Sequence, residues 1–310
     1  MPELPEVETI ARQLKDLVVG RRVAGFESLW HRVTEPLPAK HFAARLLGRE
    51  ITGVGRRGKF VVLELDGGEA LIVSLRMTGR LLFREAGAAD DTFVRAVIRF
   101  ADGTLLRFAD TRKFGRMVIV DRAELVEDGT RSRRVGEPLH RVLGIEPLTS
   151  RFTTRWLQGL LARRGRAAIK PLLLDQRAIA GIGNIYAIEA LWRARIHPLR
   201  AAGSLRPDEM ARLREAIRFV LRKGIRFGGA SRRDYRDARG GEGRMQQEFK
   251  VYDRAGEPCP RCGRAIVRTV VGGRGTFHCP HCQRAPSRTR GGRAGAPAKT
   301  SPLRIGAKRR

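Results

Sequence analysis

Two groups of residues carry chemistry by their type and spacing. All four cysteines lie in one short stretch, Cys259-x2-Cys262, sixteen residues, then Cys279-x2-Cys282. Two such pairs at the tips of two turns can meet around one tetrahedral Zn2+, and four thiolates leave no open position for catalysis. One structural zinc ion is therefore expected, with a disulfide or redox pair as the alternative. His278 and His281 are weaker competing ligands. Between the pairs, Ala265–Gly272 and Thr276–His278 read as a hairpin, with Arg274 between Gly273 and Gly275 in its central turn. The second group opens the chain, Pro2-Glu3-Leu4-Pro5-Glu6-Val7-Glu8-Thr9. Carboxylates at a helix start are ordinary capping chemistry, and composition and periodicity alone assign them nothing more.

Those groups need elements to hold them. Leu4, Val7, Ala11, Leu14 and Val18 recur at helical spacing, which predicts a helix over the first twenty residues, with Pro2 and Pro5 at its start. Beyond Gly20 the pattern turns to short β-like runs. Phe60–Leu65, Leu71–Leu75, Phe93–Phe100 and Met117–Val120 are the clearest, separated by Gly- and Asp-rich turns. Several antiparallel strands in about a hundred residues predict a sandwich or barrel-like domain. From Thr149 the pattern is helical: Arg151–Arg163, Pro171–Leu174, Ile185–Ala194 and Pro207–Lys223, with Gly224 as a stop and Gly181-Ile182-Gly183-Asn184 as a tight turn. The domain boundary is expected within Val126–Pro147. Phe227–Met245, rich in Gly and Arg, reads as mobile surface. Arg284–Arg310, with nine basic residues and no acidic one, reads as a disordered polycationic tail.

The whole chain has 310 residues, 62 of them Lys or Arg against 32 Asp or Glu, a formal charge of +30. So large a positive field points to a polyanion partner. Nucleic acid fits better than a membrane, because no run of eighteen apolar residues occurs. Met1–Gln13 lacks the basic start and apolar stretch of a secretory signal, so a cytoplasmic location is expected.

The N-terminal string closely resembles the start of the formamidopyrimidine-DNA glycosylases, the Fpg/Nei family of base-excision repair. Further matches follow in order: Gly58-Lys59-Phe60, Leu75-Arg76-Met77-Thr78-Gly79, Asp110-Thr111-Arg112-Lys113-Phe114-Gly115, Leu143–Leu148, Ala168-Ile169-Lys170-Pro171, Gly181–Tyr186, Ile196-His197-Pro198 and the four cysteines. The resemblance covers residues 2–283. It implies a multidomain α+β protein: an N-terminal β-sandwich with an N-terminal helix, a helical domain with a helix–two-turn–helix motif, and a C-terminal zinc-finger hairpin with four cysteine ligands. The implied spans are 1–130 for the catalytic sandwich, 131–228 for the helical domain, 229–248 for a mobile lesion-capping loop, 249–283 for the finger and 284–310 for the tail.

The same resemblance implies roles. Pro2, once Met1 is removed, is the nucleophile, and Glu3 moves protons at the sugar and during elimination. Glu6 is a second functional carboxylate, whereas Glu8 reads as a helix-surface residue. Lys59 contacts DNA near the lesion. Met77, Arg112 and Phe114 fill the gap left by an extruded nucleotide, although Met77 and Phe114 taken alone look like core residues. Lys170, Asn184 and Arg274 bind phosphates. The implied activity is excision of oxidised purines, 8-oxoguanine opposite cytosine and formamidopyrimidines, through an N-terminal imine, followed by β,δ-elimination. The partner is double-stranded DNA with oxidised bases or abasic sites, bound by a monomer. The full Met-Arg-Phe trio and the Gly-Gly-Ala-Ser-x-x-Asp-Tyr run favour this branch over Nei-type enzymes of oxidised pyrimidines. A non-catalytic damaged-DNA-binding protein is the rival from another class, and a ribosome-associated zinc protein is a third reading. Three features depart from the common pattern: Ser74 where many relatives carry His, Lys113 for a second arginine, and the long basic tail, from which added salt-sensitive DNA affinity is expected.

Overall fold

The computed structural model describes residues 2–124 and 143–285. The expected domain boundary falls mostly outside these residues, and the basic tail almost wholly so.

Helix α1, Leu4–Val18, opens the chain on the predicted apolar stripe. Strands β1 (Val23–Ser28), β2 (Ile51–Arg57), β3 (Phe60–Leu65), β4 (Glu69–Ser74), β5 (Gly79–Arg84), β6 (Val94–Phe100), β7 (Leu105–Asp110) and β8 (Arg116–Asp121) follow, with a helix α2, Ala39–Leu46, between the first two. They form two antiparallel four-stranded sheets, in the orders β1-β6-β7-β5 and β2-β3-β4-β8. The alternating strand residues Val61, Leu63, Val73, Leu81, Ile98, Leu106 and Phe108 form the core between them, and Val7, Ile10, Leu14 and Val18 of α1 join it. This is the expected sandwich. Helix α2 is not legible in the sequence; Phe42 and Leu46, one turn apart, are its only fully buried anchors.

Register explains why distant motifs meet. Phe60 pairs with Ser74 and Ser74 with Arg116, while Gly79 pairs with Asp110. The β2–β3 turn with Lys59, the β4–β5 loop with Met77 and the β7–β8 loop with Arg112 and Phe114 therefore share one end of the sandwich.

The second domain comprises α3 (Thr154–Arg163), α4 (Ile169–Leu174), α5 (Asn184–Ala194) and α6 (Pro207–Arg226) around Leu157, Leu161, Tyr186, Leu191, Leu213, Ile217 and Leu221. Helix α3 starts at Thr154, later than expected, because the Thr153 hydroxyl caps it, accepting from Trp156 N at 3.0 Å. Gly224 does not stop α6, which runs on to Arg226. The glycine serves packing instead: a Cβ there would lie 2.5 Å from Cε1 of Tyr186. Leu4 belongs to this second core although the rest of α1 belongs to the first, so α1 joins the two domains at its N-terminal turn.

Residues 227–245 are more than exposed surface. Ala230, Tyr235, Ala238 and Met245 are buried. Ala238 N donates to Gln13 Oε1 at 2.9 Å, and Phe83 N donates to Ala238 O at 2.8 Å. The Gly/Arg composition hides these few anchors. The hairpin of β9 (Val267–Val271) and β10 (Arg274–His278) turns at Gly272-Gly273, so Arg274 is the first residue of β10 rather than the turn's centre.

Candidate active site and nucleic-acid interface

Pro2 is buried at the junction of the domains and lines two cavities. One, of about 210 Å³, is walled by Lys59, Arg76, Asn184 and Arg274, with Ser74 at its edge. The other, of about 440 Å³, is walled by Glu6, Met77, Arg112, Ile185, Tyr252 and residues 230–235. The first suits an anion. The second lies beneath the 227–245 segment and mixes apolar and polar walls.

Glu3 is buried and aimed at the start of α5: Oε1 accepts from Ile185 N at 2.9 Å and Oε2 from Tyr186 N at 3.3 Å. Orphan N–H groups at a helix N-terminus make a natural seat for a carboxylate. Gly183 makes room for it, since a Cβ there would lie 2.2 Å from Glu3 Cδ. Gln176 sets the preceding turn, its side chain accepting from Gly181 N at 2.9 Å and donating to Ile182 O at 2.8 Å. Sequence reasoning places Gly183 in a tight turn without this packing role and assigns Gln176 nothing; the Gly-Ile-Gly-Asn spacing is the available signal.

Glu6 is buried behind Glu3. It accepts from Glu3 N at 2.8 Å, from Tyr186 Oη at 2.7 Å and from Ala230 N at 2.8 Å. It thus ties α1, α5 and the 227–245 segment together. Burial, reinforced by repulsion from Glu3, pushes Glu6 up to about 7 despite those donors. A carboxyl that binds its proton more tightly folded than unfolded stabilises the fold most at low pH. That contribution drains away as pH rises from about 4.5 through about 7. Replacing Glu6 by Gln removes it. The melting temperature of Glu6→Gln relative to the parent should therefore shift in the variant's favour between pH 4.5 and 8. A difference that stays flat over that range would contradict the assignment.

A cationic group surrounds the first cavity. Lys170 is fully buried outside that cavity's lining, and the one hydrogen bond of its ammonium group among the described residues is a long one, 3.4 Å to Val271 O. Burial, and then repulsion from Arg274, pulls it down to about 8, with Glu3 opposing. Lys59 is lowered by burial too, with Glu3 and Glu6 opposing and Arg274 adding to the shift. An anion entering here would meet the Lys59 ammonium group, which carries no ion pair among the described residues, together with Arg76 and Arg274. Asn184 Nδ2 donates to Gly275 O at 3.0 Å.

Met77 and Phe114 are exposed, at 41% and 48%, so the core reading of these two residues alone does not hold. Arg112 lies between them, its Nη1 3.0 Å from Met77 Sδ and its guanidinium 4.7 Å from the Phe114 ring centre. Asp110 holds the two loops together, accepting from Phe114 N and Gly115 N at 2.8 Å, from Arg112 N at 3.1 Å and from the Thr78 hydroxyl. Its motif is visible in the sequence, but this tying role is not. Arg76 and Lys113, beside the protruding side chains, adopt φ of +50° and +58°. Strained backbone of this kind persists where surrounding structure enforces it.

The four cysteine Sγ atoms lie within 4.8 Å of one another. Tetrahedral Zn–S bonds of about 2.3 Å put sulfurs somewhat under about 4 Å apart, so the four thiols need close by only about 1 Å around one structural Zn2+. Lys170 and Asn184 both bond carbonyls of the hairpin, at Val271 and Gly275, and Arg274 sits on it. Loss of zinc should therefore disorder three cationic or polar contacts together and leave Glu3 in place. Charge-assisted contacts contribute about 1.5–3 kcal/mol each. Zinc chelation should then weaken binding to a short duplex by about a hundredfold or more. Undiminished affinity in a metal-free sample, with metal loss checked by mass spectrometry, would contradict this.

Three sequence profiles match in order: the formamidopyrimidine-DNA glycosylase N-terminal domain over residues 1–117, its H2TH domain over 143–236, and the zinc finger found in FPG and IleRS over 256–285. The formamidopyrimidine-DNA glycosylase of Roseiflexus sp. is 48% identical over 280 residues, 90% of this chain and 98% of that protein. The one from Chloroflexus aggregans is 49% identical over 280 residues, 90% of this chain and 97% of that protein. Among solved structures, a point mutant of Lactococcus lactis Fpg in complex with Fapy-dG-containing DNA superposes with a TM-score of 0.81 at 35% identity, covering 92% of this chain and all (100%) of that one. The same organism's Fpg with abasic-site DNA gives 0.81 at 34%, over 91% of this chain and 100% of that one.

Proposed function

The chain belongs to the formamidopyrimidine-DNA glycosylase family, and from that premise we propose that Pro2, freed by removal of Met1, is the nucleophile of a base-excision reaction. The protein is a DNA glycosylase and AP lyase acting on oxidised purines and abasic sites in double-stranded DNA. What supports the assignment of Pro2 most is its position: it is the residue that lines both the cationic cavity and the cavity beneath residues 230–235. An extruded nucleotide laid across it would put its phosphate on the first and its base in the second.

The steps follow from that placement. The neutral Pro2 nitrogen attacks C1′, and the bond from C1′ to the base breaks with its electron pair leaving on the base. Glu3, fixed on α5, takes the proton that the Pro2 nitrogen sheds on attack and gives it to the ring oxygen as the sugar opens. The resulting iminium acidifies C2′. Loss of that proton expels the 3′ phosphate, and a second elimination expels the 5′ phosphate. Glu6, behind Glu3 and near neutrality, assists the proton relay. Lys59, Lys170, Asn184 and Arg274 hold phosphates, which positions the strand without reading its sequence. Four thiolates, Cys259, Cys262, Cys279 and Cys282, hold the zinc, whose contribution is structural. No helix among the described residues is long and apolar enough to cross a membrane. The proposed place of work is the bacterial nucleoid.

The assay is strand cleavage of duplexes carrying one 8-oxoguanine opposite cytosine or one oxidised pyrimidine. Faster cutting of the purine supports the assignment; faster cutting of the pyrimidine overturns the lesion preference. Met77→Ala and Phe114→Ala test the wedge. Both residues are exposed, so folding stability should stay within about 0.5 kcal/mol. Excision should slow by about tenfold or more, because inserted side chains offset unstacking of a few kcal/mol. A loss of stability with normal excision would return these residues to a packing role.

A further inference from the structure

We propose that Glu146 is a positioning residue that fixes Lys59 across the domain interface. The inference rests on the role assigned above to Lys59. Glu146 sits in the segment that leads into the helical domain, yet every hydrogen bond to its carboxylate among the described residues comes from the tip of the β2–β3 hairpin. Its Oε1 accepts from Gly58 N at 2.6 Å, the amide immediately before Lys59. The same oxygen takes Arg56 Nη1 at 3.1 Å and Arg57 Nη1 at 3.0 Å, and Oε2 takes Arg56 Nη2 at 2.8 Å. The two arginines fasten the tip further. Arg56 Nη1 donates back to Gly58 O at 2.9 Å, and its Nε donates to Glu8 Oε2 at 2.9 Å. Arg57 Nη2 reaches Leu143 O at 3.0 Å and Gly144 O at 2.8 Å.

Besides Arg12, whose Nε donates to Glu8 Oε1 at 2.8 Å, the two carboxylates are paired with Arg56 and Arg57. Both arginines are about nine-tenths buried, at 9% and 11% side-chain exposure, so little solvent screens the pairs. Burial works against ionisation of Glu146 and Glu8, but the guanidinium groups outweigh it and hold both below the usual carboxylate range. Packing adds to this: Leu143 presses on the tip so closely that a Cβ on Gly58 would lie 2.8 Å from it. Lys59 by contrast carries no ion pair among the described residues and faces the cationic cavity. The backbone on its N-terminal side is locked while the side chain is left for a ligand. Glu8, at the sequence level only a helix-surface residue, becomes the far end of the same network.

A double-mutant cycle separates positioning from general stabilisation. Single-turnover excision of 8-oxoguanine is measured for the full-length, zinc-loaded parent, Lys59→Ala, Glu146→Gln and the double variant. Glu146→Gln should slow excision by about tenfold, since small misplacements of a contacting group lower rates by such factors. In the Lys59→Ala background the same change should have less than about a twofold further effect. Effects that multiply across the two sites, or a Glu146→Gln enzyme with parental excision, overturn the inference while leaving Lys59 in its role. A Lys59→Ala enzyme with parental excision overturns the role of Lys59 and the inference with it. Should Glu146→Gln fail to fold, Arg57→Gln removes one arm of the network and is read in the same cycle by the same criteria.

Discussion

A protein in which any residue remains joined to the Pro2 nitrogen should bind lesion-bearing duplex and leave it uncut. Joined to Met1 or to a tag, that nitrogen is a tertiary amide, and its lone pair is delocalised into the carbonyl. It cannot attack C1′ or form an iminium. A free α-amine titrates near pH 8, so a usable neutral fraction exists at about pH 7. The loss should be of the order seen when a covalent nucleophile is removed, about 10⁴-fold or more. Binding should survive, because Lys59, Lys170, Asn184 and Arg274 are held by elements that do not depend on the free amine. The comparison is between a Met1-processed enzyme and one carrying an uncleavable N-terminal extension. The extension must be checked for lost excision of the base as well as lost strand cleavage. Full base release from the blocked protein would mean that an activated water, rather than Pro2, attacks the sugar.

Glu3→Gln should be nearly as severe for a different reason. The amide cannot move a proton, and general acid–base catalysis contributes about 10²–10⁴-fold. Its geometry also suffers. Glu3 uses both oxygens as acceptors, toward Ile185 N and Tyr186 N. A glutamine must turn an NH2 group toward one of those N–H groups, and the buried mismatch will loosen the turn. Removing a negative charge beside Lys59 and Lys170 leaves the cationic cavity more positive, so DNA affinity should be maintained or rise. The expected signature is a large fall in the single-turnover rate without a fall in affinity. A Glu3→Gln enzyme keeping more than a tenth of the rate would remove Glu3 from the proton-transfer step.

Much of this site is readable from sequence because its parts are local strings. The zinc set is a spacing rule, and the structure gathers all four sulfurs. The first helix and the strand at Phe60–Leu65 follow from periodicity, and they appear at the expected places. What escapes are relations between distant residues. Asp110 ties the wedge loops through four donors, but an aspartate at a strand end announces none of them. Gly224 reads as a terminator because glycine ends many helices, whereas here it makes room for Tyr186. Met77 and Phe114 by residue type alone look like core; the family resemblance points to the wedge, and sheet register is what carries them to an exposed edge. Residues 227–245 have the composition of a surface loop, yet Ala230, Tyr235 and Ala238 seal it against α1 and the sandwich.

The most direct test of the account is borohydride reduction during turnover on a duplex with one 8-oxoguanine opposite cytosine. A covalent protein–DNA product is expected, with mass spectrometry placing the linkage on Pro2 and Met1 absent. A linkage on Lys59 or Lys170, or no covalent product from a Met1-processed, zinc-loaded protein that binds the duplex tightly, would contradict it.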